Sequence, residues 1–194
     1  MRKAFTILLL SYCCLFMLNA QRLNLPKGEY KKTITEKYPN IPTQELYAQA
    51  IVVMSDWTGV EGKSRSVLSG KNSKTHTATY TGKFYLGRRK VMPGKGQDIW
   101  LEFTLKLQCM EGKVLFSIVI PAIISKVVNT NNAAQQSFNT DNQSGDVFKS
   151  IIENDKRIDE VATTILKYAK EKMKDIFETE KQLGKKTHID FNPS

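Results

Sequence analysis

Ile99, Leu101, Phe103, Leu105, Leu107 and Cys109 alternate without a break with Trp100, Glu102, Thr104, Lys106 and Gln108. After Glu111-Gly112 the same period resumes at Val114, Phe116, Ile118 and Ile120, as far as Pro121. Two runs of period two joined by a two-residue turn signal specify a β-hairpin with one face in the core and one face wetter. Everything else in the chain has to pack around that hairpin. A hydrophobic fraction of 41% is ordinary for a globular domain and excludes collagen, a coiled coil and wholesale disorder.

Further strands read on either side. Residues 31–38 alternate around Thr33, Ile34 and Thr35 and are stopped by Pro39 and Pro42. Residues 65–70 and 75–86 form a second hairpin across Lys71-Asn72-Ser73-Lys74, with Ala78, Tyr80, Phe84 and Leu86 on one face. Gly87 to Gly96 reads as a basic loop containing Gly and Pro. Two helices complete the pattern. Thr43 stands as N-cap to a stripe of Leu46, Ala50, Val53, Met54 and Trp57 that ends before Gly59. Ile158, Val161, Ala162, Ile165, Ala169, Met173, Ile176 and Phe177 make a longer stripe that stops at Gly184. Residues 21–30 read as an N-terminal tail, 129–145 as an Asn/Gln-rich loop and 185–194 as a C-terminal tail, leaving 31–184 as one domain.

The element order is β-α-β-β-β-β-α. Hairpins accompanied by two amphipathic helices bury their apolar faces on one side of one antiparallel sheet, so the expected fold is a two-layer α+β domain. This order resembles the TATA-binding-protein-like (TBP-like) fold. Thr43-Gln44-Glu45-Leu46-Tyr47 through Trp57, the hairpins and the closing helix resemble an uncharacterised exported bacterial family, a domain of unknown function with that fold. The resemblance covers about residues 31 to 182. It implies the fold and export, and it brings no functional residues with it.

The N-terminus carries its own address. Met1-Arg2-Lys3 is positive, Ala4 to Leu18 is almost wholly apolar, and Leu18-Asn19-Ala20 ends in the small residue that signal peptidases require. The apolar run is shorter than the roughly 20 residues that span a bilayer. Residues 1–20 are therefore expected to be a signal peptide, cleaved between Ala20 and Gln21, with no transmembrane segment afterwards and a periplasmic or envelope location. Tyr12 and the apolar run beyond Cys13 argue against lipid attachment there. Cleavage removes Cys13 and Cys14, so the remaining Cys109 has no disulfide partner within the chain and reads as a buried structural thiol.

Catalytic signatures are missing. Gly59-Val60-Glu61-Gly62-Lys63-Ser64 has two residues between its glycines where a phosphate-binding loop has four, and there is no nucleophile elbow. His76 and His188 lack metal-ligand spacing, so no metal or cofactor is expected. Asn142-Gln143-Ser144 matches a glycosylation acceptor only as a short pattern.

Charge is the one uneven feature. From Lys63 to Lys95 there are nine basic residues and no acidic one. Losing Arg2 and Lys3 with the leader lowers the formal charge from +10 to +8, and residues 61–113 hold eleven basic against four acidic residues. A basic face attracts polyanions, and export takes chromosomal DNA out of reach, so no nucleic-acid partner is expected. The expected function is a non-enzymatic binding or scaffolding module for an anionic envelope component: a glycolipid, a lipid headgroup or a polysaccharide. Candidate ligand-binding residues are Arg88, Arg89, Lys90, Lys95 and Lys83, with Tyr85 and Trp100; an arginine pair suits bidentate contact with phosphate. The uncovered sheet face would carry Thr77, Thr79, Thr81, Lys83, Tyr85, Trp100, Thr104 and Lys106. The alternative is an envelope hydrolase acting through carboxylates such as Glu102 and Glu111, which requires the fold to bring the two together.

Overall fold

The computed structural model describes residues 21–25, 27–59, 62–92, 95–129 and 155–186. Residues 1–20, the Asn/Gln-rich stretch from 130, the acceptor pattern at Asn142, His188 and residues 187–194 lie outside the described residues.

Among the described residues, six strands and two helices follow in the order β1 (Gln21–Asn24), β2 (Tyr30–Lys37), α1 (Thr43–Ala50), β3 (Arg65–Asn72), β4 (Thr77–Met92), β5 (Lys95–Met110), β6 (Lys113–Asn129) and α2 (Asp155–Lys186). All six strands belong to one antiparallel sheet in the order β1-β6-β5-β4-β3, and β2 shares the outer edge of β6 with β1. The fold is therefore α+β, with both helices packed against one face of a single sheet. The central hairpin is as the alternation requires. Leu101, Phe103, Leu105, Leu107, Val114, Phe116, Ile118 and Ile120 are all fully buried beneath the helices, whereas Lys106 is exposed.

Four expectations are corrected. The tail at 21–30 instead contributes β1, because β6 continues past Pro121 and offers a second pairing segment. Gln21 to Asn24 pair with Ser125 to Ala122, and the Pro121 carbonyl accepts the Leu25 N–H at 3.3 Å. The loop at 87–96 is strand almost to its tip, since Arg88 pairs with Asp98, Arg89 with Gln97 and Lys90 with Gly96. The first helix is shorter than its apolar stripe. Thr43 is its first residue, Pro42 occupies the cap position without a side-chain hydrogen bond, and the helix ends at Ala50. Beyond it the β-branched run Ile51-Val52-Val53 continues in tighter turns, with Val52 N–H bonded to the Gln49 carbonyl and Ser55 N–H to the Val52 carbonyl. These turns still bury Val53, Met54 and Trp57. Finally, α2 runs through Gly184 to Lys186.

Specific polar contacts tie the helices to the sheet. The Tyr80 hydroxyl donates to the Ala50 carbonyl at 2.8 Å, satisfying one of the carbonyls orphaned at the end of α1. On α2, Asp159 accepts hydrogen bonds from Lys32 Nζ and from the Tyr30 hydroxyl, which hold its carboxyl below the usual carboxylate range. Lys170 pairs with Glu36 at 3.3 Å. Cys109 is buried, and burial pushes its thiol up to about 12. A protonated thiol in an apolar setting is a packing element, as its place in the alternation implies. Among the described residues no helix is long and apolar enough to cross a membrane.

Candidate functional site

Side chains on the sheet face away from the helices line up in rows across the strands. One row is Arg65 on β3, Lys83 on β4, Glu102 on β5 and Ala122 on β6. The next is Tyr85, Trp100, Ile124 and Arg22, and the third is Arg88, Asp98 and Lys126. All three rows depend on β-bulges. Between Glu102 and Thr104 the partners on β6 step from Ala122 to Val119, so β6 carries one extra residue at Ile120-Pro121. Ahead of it Phe116, Ile118 and Ile120 face the helices; after it Ile123 and Ser125 do, which turns Ile124 and Lys126 onto the open face. On β4 the extra residue falls between Tyr85 and Gly87, where Gly87 adopts φ 137°, and this brings Arg88 to the same face as Tyr85. A third bulge lies between Leu68 and Gly70 on β3. Bulges bend the strands that carry them, and the open face holds a cavity of 820 Å³ bordered by Arg65, Lys83, Trp100, Glu102, Ile124 and Lys126.

The two carboxylates of this face already have partners. Asp98, almost fully buried, accepts both guanidinium nitrogens of Arg88, Nε at 2.5 Å and Nη2 at 2.9 Å, and the Tyr85 hydroxyl at 3.1 Å. Glu102 accepts Arg22 Nε at 2.7 Å. Burial, reinforced by the charge of Asp98, raises the Tyr85 phenol above its ordinary value, and the bond to Asp98 raises Arg88. Both groups keep their neutral-pH states, phenol and guanidinium. Tyr85 is enclosed further by Lys63, whose Nζ sits 4.5 Å from the ring centroid, and by Trp100, whose ring lies 5.7 Å away at 56°. Its backbone N–H donates to the buried Ser64 hydroxyl at 2.9 Å.

This geometry sorts the sequence-predicted residues. Lys83 and Trp100 face the cavity together. Arg88 is engaged by Asp98, so the bidentate phosphate contact expected of it is corrected: the fork is already occupied by a carboxylate. Tyr85 is buried and braces Trp100 from the side. Lys95 is half-buried at the far end of the β4–β5 hairpin, beside Asn129 in register; the side chains of Arg89 and Lys90 lie outside the described residues. Glu102 and Glu111 are not brought together. Nine residues of extended strand separate them, about 30 Å at the usual rise, with Glu111 at the β5–β6 turn.

Sequence reasoning missed Arg22, Asp98 and Lys126 as members of this face. Among the described residues, Arg65, Lys83 and Lys126 are exposed cations without an ion-pair partner. By contrast, Lys170, Lys172 and Lys174 on α2 have Glu36, Asp56 and Glu178 within 3.3, 3.9 and 3.7 Å. No group of three or more His, Cys, Asp or Glu able to hold a metal ion occurs among the described residues. His76 instead packs edge-on against Tyr47 at 5.6 Å and hydrogen-bonds Gln44 at 3.2 Å.

The fold is similar to that of a DUF4468 family protein from Bacteroides ovatus, with 12% identity and a TM-score of 0.45 over 75% of this chain and 86% of that one. It is also similar to a TBP-like protein from Parabacteroides distasonis, with 10% identity and a TM-score of 0.35 over 74% of this chain and 94% of that one. No protein-family model and no curated protein matches the sequence.

Proposed function

We propose that the protein is an exported, non-enzymatic binding module of the cell envelope whose open sheet face takes an anionic component. The observation that carries this reading is the asymmetry of charge pairing around the cavity. Asp98 and Glu102 are each held by an arginine, while Arg65, Lys83 and Lys126 have no counter-ion among the described residues. Cations gathered around a concave surface focus their field into it and attract anions more strongly than the same charges scattered over a convex one.

Two measurements test the reading. The intact mass of the secreted protein is expected to match a chain beginning at Gln21; a mass that includes residues 1–20 overturns export with cleavage. Protein 21–194 is expected to sediment at low salt with phosphatidylglycerol vesicles or with dextran sulfate. Lys83→Ala/Lys126→Ala should weaken that retention clearly more than Lys170→Ala/Lys172→Ala/Lys174→Ala, even though the second variant removes more charge. Equal loss from both variants would reduce the effect to net charge, which ionic strength screens within about 8 Å at physiological salt. That result, or no retention at all, rejects the open face as an anion site.

A further inference from the structure

The open face is not a uniform patch of charge. Across its middle runs the row Tyr85, Trp100, Ile124, one residue deep along the strands, with Trp100 half-buried and the ring of Tyr85 tilted against it. On one side of this row Thr81 and Thr104 stand opposite each other on adjacent strands, both partly exposed. The unpaired cations lie at opposite corners, Arg65 and Lys83 together and Lys126 beyond Asp98. Two strand spacings and four residues of rise separate Lys83 from Lys126, roughly 16 Å between their Cα positions. Between those corners the partly exposed Glu102 retains a carboxylate oxygen that accepts hydrogen bonds, its charge balanced by Arg22.

We infer that the occupant of this face is an acidic polysaccharide chain, with one sugar ring stacked on Trp100 and its anionic groups directed to Arg65/Lys83 and to Lys126. The inference rests on the anion-binding reading above and names its ligand. A sugar ring presents an apolar C–H face that fits an indole and a rim of hydroxyls that both donate and accept. The indole supplies the face for one ring, Glu102 in the next row an acceptor for its hydroxyls, and Thr81 and Thr104 one row further on the donors and acceptors for the ring that follows. The span between the cationic corners exceeds one ring and suits a chain of several. A bilayer is a poorer fit, because the cations border a cavity that Trp100 helps to line, and a flat headgroup layer does not enter a concave site. In this arrangement Arg88 and Asp98 are positioning residues. They fix Tyr85, and Tyr85 braces the side of Trp100.

The test uses tetragalacturonate as the acidic sugar, with maltotetraose, inorganic polyphosphate, oligothymidylate and phosphatidylglycerol vesicles as competitors. The protein has two tryptophans, and Trp57 is buried under the helices, so a ligand-induced change in indole emission that disappears in Trp100→Phe reports the open face. Tetragalacturonate is expected to give that change and to bind at least about ten-fold more tightly than maltotetraose or polyphosphate, a separation of about 1.4 kcal/mol. Trp100→Ala should cost about ten-fold for tetragalacturonate and leave polyphosphate unchanged, while Lys83→Ala/Lys126→Ala should weaken both. If polyphosphate, oligothymidylate or vesicles bind as tightly as the uronate, or if Trp100→Ala affects none of them, the saccharide assignment fails and the anion reading stands. If no anionic probe binds at low salt, both fail.

Discussion

Phe116→Asp and Leu105→Asp are expected to abolish the cooperative thermal transition, while Lys106→Ala keeps a melt within about half a kcal/mol of the parent. Phe116 and Leu105 are fully buried on the helix-covered side of the central hairpin, Leu105 opposite Ile118 and Phe116 between Leu107 and Ile34 in register. An aspartate at either place loses the apolar side chain, about 2–5 kcal/mol, and adds a buried charge without a partner, several kcal/mol more. Against a total stability of about 5–15 kcal/mol that combination leaves little folded protein. Lys106 sits between them on the exposed side, in register with Thr79 and Ser117. Should the aspartate variants be recovered only as aggregates, Phe116→Leu supplies the measurable version: a folded protein destabilised by about 1 kcal/mol in a circular-dichroism melt. A normal melt for Phe116→Asp together with a damaged Lys106→Ala would mean that the hairpin faces the other way.

That prediction was legible in the sequence because alternation and burial share one cause along β5 and the first half of β6. Legibility ended where the backbone broke the alternation. Ile123, Ile124 and Lys126 follow Pro121, and their facing depends on an extra residue at the bulge that shifts them by one; no periodicity in the sequence announces it. The same holds for Arg88, which reads as part of a basic loop and is brought beside Asp98 by the bulge before Gly87. Gln21 to Asn24 have too little apolar character to read as a strand, and they pair because β6 outlasts β2 and leaves ladder positions open. Lys83 and Trp100 were readable as open-face residues, since both lie in unbroken stretches. The internal neutralisation of Asp98 and Glu102 was not, because their partners come from residues 10 and 80 positions away. Composition located the basic segment, and only the register separated its paired cations from its unpaired ones.

Gly82→Val is expected to destabilise the domain by about 3 kcal/mol or more, a fall in Tm of about 6–12 °C for a chain of this size, while Gly70→Ala is expected to be nearly neutral. The reason is space, since Gly82 has no positive φ that would favour glycine. A Cβ at Gly82 would lie 2.5 Å from the Arg65 carbonyl oxygen and 2.5 Å from Phe103 Cζ. Phe103 stands directly opposite Gly82 across β4 and β5, is fully buried, and is held edge-on by Trp57 at 5.4 Å. An aromatic ring laid over a cross-strand glycine restores the contacts that the missing side chain would have made, so neither partner has room to retreat. At Gly70 the nearest atom to an added Cβ is Thr79 Cβ at 3.8 Å, an ordinary contact, and removing a strand glycine lowers the entropy of the unfolded chain. Gly82→Ala/Phe103→Leu separates the two obstructions: it relieves the ring but not the Arg65 carbonyl, so it should be less destabilised than Gly82→Ala alone and still less stable than the parent. The consequence reaches the site. Arg65 contributes its backbone to this contact and its side chain to the cavity, in the same row as Lys83. A side chain at Gly82 therefore pushes β3 outward and carries Arg65 away from Lys83. Gly82→Ala, measured below its own Tm, should retain anionic probes less well than the parent even though no charge has been removed. Parental melting and parental retention together would show that the seat of Phe103 on Gly82 does not set the spacing of β3, β4 and β5.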